Sequence, residues 1–91
     1  MPPRINSFTF ERPEPTRFDR LFVGQHVQVQ VVDLRERAEE PLWLEVCDDL
    51  GNGVYRAEPL DAARYFPELP RGDTVYLTAA QAQAVRNAAD A

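Results

Sequence analysis

Pro41-Leu-Trp-Leu-Glu-Val-Cys-Asp-Asp-Leu-Gly-Asn-Gly-Val-Tyr-Arg-Ala-Glu-Pro59 reads as a β-hairpin. Leu42, Leu44 and Val46 alternate with Trp43, Glu45 and Cys47, the period-two pattern of a strand with one buried face. The turn falls between Asp48 and Gly53, where Gly51-Asn52-Gly53 supplies residues that tolerate positive φ. The return strand, Val54 to Glu58, carries side chains that suit a pleated surface.

Working outward, His26-Val-Gln-Val-Gln-Val-Val-Asp33 is the clearest other strand. Val27, Val29 and Val31 face one way, and His26, Gln28 and Gln30 the other. Leu34 to Glu40 is a polar connection to the hairpin. Leu60 to Pro70 is loop-like, with a helical turn expected at Asp61 to Tyr65 capped by Asp61. Thr74 to Leu77 forms a short strand. Thr78-Ala-Ala-Gln81 fits a capping box, and the alanine-rich run to Ala89 predicts a helix.

Two stretches echo each other. Leu21-Phe-Val-Gly24-Gln-His-Val27 and Leu69-Pro-Arg-Gly72-Asp-Thr-Val75 share an apolar anchor, a glycine bend and a strand start. The spacing places the leucine and the valine in one core while glycine takes the turn.

Residues 1–17 hold Pro2, Pro3, Pro13 and Pro15, so an extended arm is expected rather than a helix. Within it, Phe8 and Phe10 share one side of a short β segment with Thr9 opposite. They are expected to pack on a β surface, in their own chain or in a second copy. The predicted organisation is thus an arm over 1–17, a β domain over 18–78 and a C-terminal helix over 79–91. The fold class is mainly β: a small antiparallel half-open barrel of four or five strands with that short C-terminal helix.

The chain has 91 residues and a net charge of −5, with 15 acidic residues against 10 basic ones. That balance argues against a phosphate-binding surface, which needs clustered positive charge. Arg64-Tyr65-Phe66 is the nearest thing to a basic aromatic cluster, and Glu68 stands beside it. The one cysteine, Cys47, excludes an internal disulfide and reads as a small buried hydrophobe. No apolar run reaches the length of a membrane helix, so a cytoplasmic protein without membrane contact is expected.

No catalytic constellation is legible. His26 is the lone histidine, and neither a metal site nor a nucleophile–base pair follows from one His and one Cys on separate strands. Asp48 and Asp49 are adjacent on a turn and point apart. Gly51-x-Gly53 leads into a strand, whereas a phosphate loop leads into a helix. Arg71-Gly72-Asp73 spells an adhesion tripeptide, but it is ordinary chemistry for launching a strand. Trp43 points away from the core beside Glu45 and Cys47, where it is either covered by its own chain or presented to a partner.

The motifs Trp43-Leu44-Glu45-Val46 and Leu69-x-x-Gly72-Asp73-x-Val75 resemble the YegJ-like family of small bacterial and phage domains, over roughly residues 18–77. The chain departs from that family at Glu58 to Tyr65, where a G-x-L-x-N-x-P-like stretch would stand. The resemblance implies a compact β-rich fold and carries no known chemistry. The expected function is a non-catalytic protein-interaction module that binds a protein or its own copy, with Phe8, Phe10, Trp43, Arg64 and Tyr65 as contact residues. It is expected to need no metal or cofactor and to make no direct nucleic-acid contact. The alternative is a nucleic-acid-related role, as a small-barrel binder or as an acidic inhibitor of a DNA-binding protein.

Overall fold

The computed structural model describes residues 8–13, 18–33 and 38–87. Its strands are β1 (Phe8–Phe10), β2 (Gln25–Asp33), β3 (Glu39–Asp49), β4 (Val54–Pro59), β5 (Val75–Thr78) and β6 (Ala84–Asn87). Neighbours run β1-β2-β3-β4-β5 and every pairing is antiparallel. β6 returns to the edge of β2, beside the half that β1 leaves uncovered. The result is a small, nearly closed barrel.

The hairpin forms because its alternation and its turn agree. Leu42, Leu44 and Val46 are buried, and Val27, Val29 and Val31 meet them from β2. Each such side chain contributes roughly 1.5–3 kcal/mol by leaving water. In the turn, Asp49 Oδ1 accepts the Gly51 N–H at 2.9 Å and Asn52 Oδ1 accepts the Val54 N–H at 3.2 Å. Gly51 and Gly53 take φ of 84° and 85°, which side chains with a Cβ rarely adopt. Tyr55 turns inward on β4, and its buried hydroxyl accepts the Leu21 N–H.

The sequence echo is a structural one. Gln25 N–H donates to Phe22 O and Asp73 N–H donates to Pro70 O, both at 3.1 Å, which makes two turns with glycine at the third position. Each glycine N–H is also anchored on a neighbouring strand, Gly24 on Val46 O and Gly72 on Pro59 O. Leu21, Leu69, Val27 and Val75 all enter the core.

The expected C-terminal helix is not formed. Among the described residues 79–87 only a 3-10 turn over Ala79–Gln81 appears, and the chain then becomes β6. The reason is local: an alanine face offers a helix little to bury, while the open edge of β2 offers ladder hydrogen bonds from Gln25 to Gln28. Asp61 to Tyr65 forms bends instead of a helical turn. Part of the Pro-rich arm and most of the polar connection, residues 1–7, 14–17 and 34–37, lie outside the described residues.

Candidate functional site

The ladder stops between β1 and β5. Glu11 N–H donates to Gln30 O, so Thr9 pairs with β2 and the main-chain groups of Phe8 and Phe10 point the other way. On β4, Pro59 O accepts from Gly72, so alternation turns Tyr55 and Ala57 toward β5 and bonds them to Leu77 and Val75. The N–H and C=O of Tyr76 therefore point away from β4. Two strand edges face each other across a seam, and neither pairs with the other.

The seam is a groove of about 320 Å³ lined by Phe8, Phe10, Thr74, Val75 and Tyr76. Phe10 and Val75 are buried and Phe8 packs against them, edge-on to Phe66 at 6.4 Å. Tyr76 stands outward and is 58% exposed. One end is latched by Gln81, whose side chain accepts the Thr78 N–H at 2.9 Å and donates to Phe10 O at 3.4 Å. The other end lies at Phe8 and Thr74.

Of the five residues singled out in the sequence, Phe8 and Phe10 come together here, packed in their own chain. The other three do not join them. Arg64 and Tyr65 flank a shallow cleft of about 420 Å³ with Glu39, Glu40, Pro41 and Ala62. Their backbone N–H groups both bind the Glu40 carboxylate, at 3.0 and 2.8 Å, so the loop is pinned while both side chains face water. Trp43 is covered by its own chain: Arg86 of β6 lies over the ring, 4.2 Å from its centre.

The outer face around Trp43 is polar. His26 Nε2 lies 3.7 Å from Glu45, and His26 Nδ1 is buried without a hydrogen-bond partner among the described residues. Glu45 stands directly opposite Glu58. Ligand atoms of Glu45, Cys47 and Glu58 lie within 4.8 Å of one another. Alternation along β3 places Cys47 there, half-buried on the outer face and not a buried hydrophobe as its residue type suggested, at a β-bulge between Val46 and Asp48. The thiol donates to Glu45 O at 3.4 Å, and partial burial, with the Glu58 carboxylate close by, pushes it above its ordinary range. It is therefore a poor nucleophile near neutral pH.

Tyr76, Val75 and Gln81 were not among the contact residues expected from the sequence. Tyr76 carries no warning beyond the alternation of Val75 and Leu77. Gln81 was read as a cap of a helix, and its partner Phe10 is 71 residues away. Compared with protein-family models, curated proteins and solved structures, the chain matches none. Among the described residues, no helix is long and apolar enough to cross a membrane.

Proposed function

We propose that this chain is a non-catalytic protein-interaction module that accepts an extended segment of another protein at the seam. The observation that carries this is the pair of strand edges, on β1 and β5, that are unpaired among the described residues around a groove with an apolar floor. Free strand edges are templates for strand addition, in which main-chain bonds supply affinity and alternate side chains supply specificity. Membership of the YegJ-like family belongs to the same proposal. Its support is that Trp43 to Val46 lies on β3, and Leu69 to Val75 forms the turn into β5.

The test is selection of peptides from a random display library, followed by NMR mapping of the bound protein. Binders are expected to shift the resonances of Phe8, Phe10, Val75 and Tyr76. Binders that map to Trp43 and Arg86, or to the cleft at Tyr65, would contradict this site.

A nucleic-acid role is the second reading, favoured by exposed aromatic rings at Phe22, Tyr65 and Tyr76. The surroundings of Tyr65 include Glu39 and Glu40, which oppose a phosphate backbone. Fluorescence anisotropy with single-stranded and duplex oligonucleotides decides between them. Micromolar affinity that falls steeply with salt would favour nucleic acid.

A further inference from the structure

We infer, resting on that reading, that the seam takes one guest strand from a partner protein, running antiparallel to both β1 and β5, and that Gln81 marks its first position. The direction follows from the topology. Each of the four steps from β1 to β5 is antiparallel, so the two edges that face each other run the same way. A strand of opposite direction between them makes every step in the sheet antiparallel.

The width follows from Gln81. Its side-chain amide accepts from Thr78 N–H on one side and donates to Phe10 O on the other. A peptide group of an intervening strand does the same, with its C=O and N–H directed at opposite neighbours. The gap at the latched end is thus one strand wide and already holds one amide in place of a guest. Beyond it, Phe8 and Tyr76 present the next free main-chain groups.

The chemistry of the guest follows from the lining. A side chain directed inward from the guest meets Phe8, Phe10 and Val75, and the next one meets Tyr76 and water. The guest is therefore an extended segment with aliphatic residues two apart and a polar residue between them. Because the guest is antiparallel to β1, its N-terminal end lies at Gln81 and its C-terminal end at Thr74. A second copy is a poor source. Among the described residues each of the six strands already pairs in its own sheet, and donating β1 would strip Phe8 and Phe10 from their own core.

The probe is acetyl-Thr-Val-Thr-Val-Thr-amide, carrying a spin label at either end and titrated into the full chain under NMR observation. The N-terminal label is expected to broaden resonances near Gln81, and the C-terminal label those near Thr74. Removing the surrogate amide in Gln81→Ala should free Thr78 N–H and Phe10 O for the guest. The peptide should then bind several-fold more tightly, the gain of about one net hydrogen bond. Gln81→Glu keeps the acceptor but loses the donor, and should lie between. If Gln81 serves only to cap the 3-10 turn, both variants lower the melting temperature and leave peptide affinity unchanged. That result, or reversed broadening, overturns the inference while the interaction reading stands. Binding away from the seam, or no binding by any of the three proteins, overturns both. A dimer in sedimentation with Tyr76 protected would give the slot to a second copy and also overturn it.

Discussion

The two sides of this small barrel are built to different standards. On one side β2, β3 and β4 form a meander in which both edges of β3 are paired and alternate side chains are buried. On the other side β1 and β5 are each paired along one edge only among the described residues, and a glutamine amide fills one place between them. The meander holds the fold, and the seam spends less of its main chain on stability. Exposed ladder groups of this kind are a hazard in a protein with no use for them. The contrast teaches that function here is to be sought where the ladder is incomplete, not where chemically reactive side chains gather.

The largest effect expected from breaking this contrast lies in the meander. Leu44→Ala should cost about 2–5 kcal/mol, because the side chain is fully buried between paired strands. Denaturant unfolding monitored by Trp43 fluorescence checks it. On the seam, Phe8→Ala should cost less, about 1–2 kcal/mol, since its ring is only partly removed from water. A cost at Phe8 equal to that at Leu44 would erase the distinction between the two sides.

The turns that launch β2 and β5 sharpen the comparison. Gly24 and Gly72 have φ of 92° and 81°, and a Cβ at either site would meet nothing within 4 Å. Alanine there strains only the backbone, by about 1–2 kcal/mol. Gly24→Ala and Gly72→Ala should therefore cost nearly the same amount, measured by the same unfolding curves. Unequal costs would show that the sequence echo is not an energetic one.

The smallest effect concerns Cys47. Its thiol is held above the ordinary value of 9.0, so near and above that pH the folded chain keeps a proton that the unfolded chain releases. The stability this contributes is full below pH 9 and is lost as pH rises through the folded value. Cys47→Ser should flatten the decline in stability above pH 9. Alkylation of the folded protein at pH 8 should be slower than that of a model thiol. Faster alkylation would mean that a positive charge governs the thiol.

Much of the meander was legible in the sequence, because its signals are local. Alternation from Leu42 to Val46, two glycines in the turn and the valines of β2 each point to the same register. The launch turns were legible for the same reason. What was missed depends on distant partners. Ala84 to Asn87 reads as helix by propensity and becomes strand because β2 has an edge to fill. Nothing near Glu40 announces that its carboxylate holds Arg64 and Tyr65 from more than twenty residues away. The bulge between Val46 and Asp48, which shifts the register of β3 against β4, leaves no mark on the alternation preceding it. At the site, Phe8 and Phe10 were found from their spacing, whereas Tyr76 and Gln81 matter through main-chain direction, which side-chain patterns do not encode.

Amide hydrogen exchange, read residue by residue by NMR on the free protein, tests the open seam most directly. If the ladder stops between β1 and β5, the Tyr76 amide exchanges far faster than that of Leu77 beside it, which bonds to Tyr55. Phe8 likewise exchanges faster than Thr9, while Thr78, held by Gln81, is slowed. Equal protection of Tyr76 and Leu77 would show the edge already paired in the free protein and would contradict the account.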